Sequence, residues 1–318
     1  MSLYAFDGTW NTDMDGEENY RETNVLRFYN AYHANSGLKD FYVEGIGTRF
    51  GAVGRAIGGA FGAGELPRLE EAYDALCTNW TDGDRDIDVI GFSRGAATAL
   101  DFCNFVQHKG IRKRNTLTVV EPSPKFRFIG LWDVVGAFNV AAVGFDLPHL
   151  NIGHKLRLPK QNIGYCFHAM ALDEVRTSFK VIRVHGAREI WFRGVHSDIG
   201  GGNDNRGLND ISMRWMMRKA LAAGLPIADS NIAALRPDAA AAVHLHDKLP
   251  ELWRPFRGGD IVHYTVKPAS RCRRTPDACG IESEQDELKA QAVGAEGLEA
   301  EAPMPQPSSG TPAAQAGT

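Results

Sequence analysis

The run Gly91–Phe92–Ser93–Arg94–Gly95 sets a serine between glycines two positions before it and two positions after it. A serine hydroxyl is a weak nucleophile at neutral pH and needs a base to take its proton. This spacing fits the G-x-S-x-G elbow, in which a sharp strand-to-helix turn exposes the hydroxyl at a sheet edge. The flanking glycines leave room for the turn and for the helix to pack closely. The amide of Arg94 would open that helix and face a developing oxyanion. A strand-like Asp-Ile-Asp-Val-Ile precedes the motif and an alanine-rich segment follows it, so the context agrees with the pattern.

In folds that use this elbow, the base follows a late strand. Residues 189–195 read as that strand, and His196 comes next, ahead of Ser197–Asp198–Ile199 and Gly200–Gly201–Gly202. Three glycines beside a histidine suggest a tight loop at a crowded site. His168 reads instead as a capping or packing residue at the start of a helix, and His185, His244, His246 and His263 have bland surroundings. The base needs a carboxylate to orient it. Asp133 ends the strand-like residues 128–132 and lies between Ser93 and His196, giving the order Ser, Asp, His. Asp198 is the alternative acid, but an aspartate so close to His196 can cap the turn instead. The first strand runs into Asp7–Gly8–Thr9. Gly8 and Thr9 are the expected second source of oxyanion donors, with a plain polar turn as the other reading. Asp7 is a candidate for loop support, or for a remote pairing with Asp198 around a hard cation. The expected chemistry itself requires no metal and no cofactor.

Alternating strands and helices must carry these residues. Residues 3–6, 41–46, 86–92, 126–132 and 189–195 read as strands, and 261–266 as a late strand at an edge. Residues 23–34, 66–80, 96–106, 168–179 and 211–223 read as helices. That alternation means an α/β fold of the α/β-hydrolase-like kind, a mostly parallel central sheet with helices on both faces. The hydrolase domain is expected over 1–268. Residues 269–318 read as a basic edge, with Arg271, Arg273 and Arg274, then a disordered acidic and Ala/Pro/Gly-rich tail. The apolar residues 140–145, followed by Pro148, read as a loop or lid. Gly58, Gly59, Gly62 and Gly64 lack the strand and lysine that a phosphate-cradling loop needs.

The 318 residues are 43% hydrophobic and 23% charged with a net charge of -4, which suits a globular protein and makes no case for nucleic acid as a partner. No run approaches the length of a transmembrane segment, and no signal peptide is evident. The expected location is the cytoplasm of the producing cell, with any export by a signal-independent route. Cys77, Cys103 and Cys166 sit among apolar residues and read as core, while Cys272 and Cys279 flank a basic loop. The odd cysteine count points to a reducing compartment rather than a disulfide framework.

Several ordered motifs taken together are more specific than the elbow alone. They are Phe6–Asp7–Gly8–Thr9–Trp10–Asn11, Thr23–Asn24–Val25, Gly45–Ile46–Gly47–Thr48, the elbow continued into Ala96, Gly130–Leu131–Trp132–Asp133–Val134–Val135–Gly136, His168–Ala169–Met170–Ala171–Leu172–Asp173–Glu174, and the stretch from Gly194 to Gly202. From about residue 3 to about residue 225 the chain resembles the α/β-hydrolase catalytic domain of bacterial type VI secretion phospholipase effectors. The resemblance implies a Ser93–Asp133–His196 triad and hydrolysis of fatty-acyl esters, with phospholipid the expected substrate. It also implies an antibacterial effector whose partners include secretion-apparatus and immunity proteins. Effector members often carry large added segments thought to engage membranes, and this chain shows little beyond the core. Two other readings remain at this point: a non-catalytic interaction module, and an esterase of small soluble esters.

Overall fold

A computed structural model describes residues 1–8, 22–36, 40–44, 61–136, 156–245, 253–266 and 279–293. Its strands are β1 (Ser2–Phe6), β2 (Phe41–Val43), β3 (Ile87–Phe92), β4 (Ile111–Arg112), β5 (Val119–Glu121), β6 (Phe126–Trp132), β7 (Ile163–Ala171), β8 (Arg188–Phe192), β9 (Ile261–His263) and β10 (Gly280–Glu282). Its helices are α1 (Asn24–Ser36), α2 (Phe61–Thr81), α3 (Arg94–Lys109), α4 (His196–Gly200), α5 (Arg206–Ala222), α6 (Asp229–Ala233) and α7 (Glu284–Glu287).

Leu3 and Ala5 enter one hydrophobic layer, while Tyr4 and Phe6 enter the other. That is the period-two alternation of a strand buried on both faces. Val25, Phe28 and Tyr32 of α1 share the first layer with Leu208, Ile211 and Trp215 of α5. Leu69, Tyr73 and Leu76 of α2 share the second with Ala96, Leu100 and Phe102 of α3. The helices therefore cover both faces of the sheet.

The order across the main sheet is β2-β1-β3-β6-β7-β8-β9-β10, and every pairing in it is parallel. The chain moves outward from β1 to β2, then returns past β1 to β3. This reversal opens a crevice beyond the carboxyl ends of β1 and β3, where α/β sheets bind ligands. Register aligns those ends: Phe6 pairs with Gly91, Phe92 with Trp132 and Trp132 with Ala169. The residues just past these pairs are Asp7, Ser93, Asp133 and Met170.

Three expectations need correction. Residues 168–179 do not form a helix: 168–171 complete β7, followed by turns and a single 3-10 turn at Thr177–Phe179. Ala, Met and Leu favour helix locally, but β7 lies between β6 and β8 and its side chains are buried. Burial in a central parallel strand overrides that propensity. Nor does the folded part end at 268, and β9 is not an edge. β10 pairs with β9 and takes the outer position. Glu282 holds it there, because its carboxylate meets Lys219 at 2.7 Å and Arg188 at 2.6 Å. A three-residue Gly-Ile-Glu strand has no periodicity to detect in sequence. Residues 140–145 and 294–318 lie outside the described residues. Among the described residues no helix is long and apolar enough to cross a membrane.

Candidate active site

Ser93 follows β3 and precedes α3, with φ 58° and ψ -125°. Left-handed backbone at a non-glycine residue costs on the order of 1–3 kcal/mol and persists only where its surroundings impose it. Here both flanks impose it. A Cβ on Gly91 would stand 2.7 Å from the Ala96 Cα, and one on Gly95 only 2.3 Å from the Phe6 carbonyl oxygen. Glycine at both positions lets α3 start against the ends of β1 and β3. The Ser93 N–H donates to the Trp132 carbonyl at 3.0 Å, and the Ser93 carbonyl accepts from Ala96 N–H at 3.1 Å.

The side chains of three separated segments meet at this turn. Ser93 Oγ lies 2.8 Å from His196 Nε2, and His196 Nδ1 lies 2.6 Å from Asp133 Oδ2. An ionised carboxylate only accepts, so Nδ1 carries the ring proton and Nε2 accepts from the Ser93 hydroxyl. Asp133 is fully buried, yet its carboxyl stays well below the usual carboxylate range. Burial opposes ionisation, but the Arg254 charge and the bond from His196 outweigh it. His196 moves the other way from a cation: burial above all lowers its pKa below 6.5, against the pull of Asp133 and Glu174. The imidazole is therefore neutral at pH 7 and able to accept a proton.

The ring is also held by its neighbours. Phe92 packs at 4.6 Å and Phe179 edge-on at 4.8 Å between centroids. Glu174 accepts the His196 backbone N–H at 3.2 Å and is clamped in turn by Arg176. Asp173 accepts the Gly194 N–H at 2.7 Å, which fixes the approach to His196.

The other predicted residues divide. Asp198 is not the acid on the imidazole: it accepts Val195 N–H at 2.9 Å, Asn203 at 2.9 Å and Asn205 at 3.0 Å, and so caps the short α4. Asp7 accepts Thr23 Oγ1 at 2.5 Å and the Tyr42 hydroxyl at 2.6 Å, tying β1 to α1 and β2. Asp7 and Asp198 thus sit in separate networks of N–H and O–H donors, not around a shared cation. Gly8 lies beside the elbow, where a Cβ would stand 3.3 Å from the Ser93 Cβ. Its N–H, however, donates to Asp7 Oδ1 at 2.7 Å instead of facing an oxyanion. Arg94 opens α3, so its amide is at the helix start as expected, and burial lowers its guanidinium pKa to about 10. Thr9 lies outside the described residues. His168 is a buried strand residue that accepts Val134 N–H at 3.1 Å and meets Glu189 at 3.0 Å.

Sequence reading missed Arg254, whose guanidinium meets Asp133 Oδ1 at 2.6 Å and Oδ2 at 2.9 Å. Nothing around Trp253–Arg254–Pro255 in the chain marks it. The contact spans 121 residues of sequence and exists only once the sheet has formed.

A parallel sheet with helices on both faces, a serine elbow at its switch point and a histidine after a late strand define an α/β-hydrolase-type protein. The family model described as "T6SS, Phospholipase effector Tle1-like, catalytic domain" matches residues 3–122 and 111–219. The chain belongs to this family of type VI secretion phospholipase effectors. It is similar to an uncharacterized protein from Pseudomonas aeruginosa of known crystal structure, with 23% identity over 71% of this chain and 46% of that one, at a TM-score of 0.44. It is also similar to the Tle1 effector solved bound to the VgrG spike of the Type 6 secretion system, with 24% identity over 65% of this chain and 51% of that one, at a TM-score of 0.47. The matched region therefore spans about half the length of each of these chains. No curated protein matches the chain.

Proposed function

We propose that the chain is a serine hydrolase that cleaves acyl esters of phospholipids or related lipids, with Ser93 as nucleophile, His196 as general base and Asp133 as the group that orients the base. The observation that carries this reading is the hydrogen-bonded line from Ser93 through His196 to Asp133, at 2.8 and 2.6 Å, on a strained elbow. The lipid substrate rests on the family description.

In this reading His196 Nε2 takes the Ser93 proton as Oγ attacks the acyl carbonyl. The new C–O bond leaves a tetrahedral oxyanion at the start of α3, where the Arg94 amide and the helix dipole favour negative charge. Collapse breaks the ester C–O bond, and His196 returns the proton to the departing alcohol. Water then enters, gives a proton to His196 and releases the fatty acid. The proton goes back to Ser93. Asp133 stays ionised throughout and stabilises the imidazolium that forms at each step. Delivery by a type VI secretion apparatus and neutralisation by an immunity protein follow as proposals from the same family.

Fatty-acid release from phosphatidylethanolamine/phosphatidylglycerol vesicles, wild type against Ser93→Ala, tests this. Release by the wild type alone supports the reading. Cleavage of p-nitrophenyl acetate but not vesicles moves the substrate to small esters. Inactivity on both leaves the interaction module.

A further inference from the structure

Two donors, the Arg254 guanidinium and the His196 imidazole, share one carboxylate in this site. An ionised aspartate has about four acceptor positions, and those of Asp133 are all filled. Oδ1 accepts Ala171 N–H at 2.9 Å and Arg254 Nη1 at 2.6 Å, and Oδ2 accepts Arg254 Nη2 at 2.9 Å and His196 Nδ1 at 2.6 Å. The same guanidinium also donates to the Ala171 carbonyl at 2.9 Å and the Phe179 carbonyl at 2.5 Å. Phe179 in turn packs edge-on against the His196 ring. One buried side chain thus ties together the carboxylate, the end of β7 and the turn that covers the imidazole. A planar fork can hold both oxygens at once, which a lysine ammonium cannot.

We propose that Arg254 is a positioning residue: it locks Asp133 in the orientation His196 requires, and by sharing that carboxylate's charge it keeps His196 a neutral base at lower pH than Asp133 alone would allow. This rests on the hydrolase reading above. The charged groups facing His196 are Asp133 beyond β6, Glu174 beyond β7 and Arg254. Glu174 is paired with Arg176. Asp198, on the same short helix as His196, is turned to Val195, Asn203 and Asn205. Burial and Arg254 push the imidazole towards its neutral form, whereas Asp133 and Glu174 pull it towards the cation. Removing the guanidinium therefore leaves His196 facing an unshared carboxylate, and its pKa rises.

The test follows the His196 ring by NMR titration and kcat on p-nitrophenyl butyrate, in wild type, Arg254→Gln and Arg254→Lys. Gln should raise the His196 midpoint by about one unit and, through a loosened Asp133, lower kcat by up to about 10²-fold. Lys keeps the charge but not the fork, so its midpoint stays near wild type while kcat falls. A wild-type midpoint in folded Arg254→Gln overturns the proposal, and so does wild-type kcat in Arg254→Lys. If Gln does not fold, the Lys variant decides. Inactivity of the wild type on both p-nitrophenyl butyrate and phospholipid vesicles defeats the hydrolase reading, and the NMR midpoint then judges charge sharing by itself.

Discussion

At the carboxyl edge of the sheet, Ser93, His196 and Asp133 are linked at 2.8 and 2.6 Å; at its far flank, Thr265, His263 and Glu287 are linked at 2.7 and 2.5 Å. Each line runs from hydroxyl to imidazole to carboxylate. Each carboxylate also meets arginine, Arg254 in the first and Arg218 in the second. Both histidines are buried, and burial lowers both pKa values. Taken as hydrogen bonds alone, the two are nearly the same object.

Backbone placement separates them. Ser93 has φ 58° and stands at the start of the 16-residue α3, beside the switch point of the sheet. Its partners come from 40 and 103 residues away along the chain, so the site is assembled from three strand ends. Thr265 lies two residues from the histidine it contacts, in a turn closed by Val266 N–H on the His263 carbonyl. Among the described residues, no helix starts at Thr265 to stabilise an oxyanion. Glu287 is the last residue of α7, so this second line fastens α7 to β9. Under the proposed function, such a line does chemistry where a strained turn and a helix N-terminus present the hydroxyl, and otherwise clips elements together.

The largest expected effect is on turnover. Ser93→Ala and His196→Ala should each cut kcat by about 10⁶-fold, and Asp133→Asn by about 10⁴-fold, with the fold intact by circular dichroism. The largest stability effect belongs to the flank. Glu282→Ala leaves Lys219 buried without its carboxylate and should cost about 3–5 kcal/mol in denaturant unfolding. The activity of each folded molecule should not change.

A smaller effect appears with pH. As the proposed base, His196 must be neutral, and its pKa is depressed, so the acid limb of kcat should have its midpoint below 6.5. Stability has the same sign. Asp133 and His196 both have folded pKa values below their ordinary ones. Their contributions are present at neutral pH and are lost as pH falls, first through the His196 range and then below that of an ordinary aspartate. A melting-temperature series from pH 7 to pH 3 checks the direction. Smallest of all, Thr265→Val should leave kcat unchanged and remove about 1 kcal/mol or less of stability.

Much of the first region was legible in the chain, and little of the second. Gly91 and Gly95 flank the serine because a Cβ at either position would strike backbone, so the elbow is written in local residue types. Asp133 and His196 follow strand-like runs in the order the fold uses, which narrows the choice without any contact being known. Arg254 has no such local signature, and neither has His263. Their roles depend on distant segments meeting: Asp133 for one, Glu287 for the other. The 168–171 strand was hidden for a related reason, since its residues favour helix until β6 and β8 enclose them.

The most direct test of the account is to label the protein with a fluorophosphonate and map the adduct by mass spectrometry in wild type, Ser93→Ala, His196→Ala and Thr265→Val. A single adduct on Ser93 is expected, lost in the first two variants and kept in the third. An adduct on Thr265, or labelling that survives in folded Ser93→Ala, would contradict it.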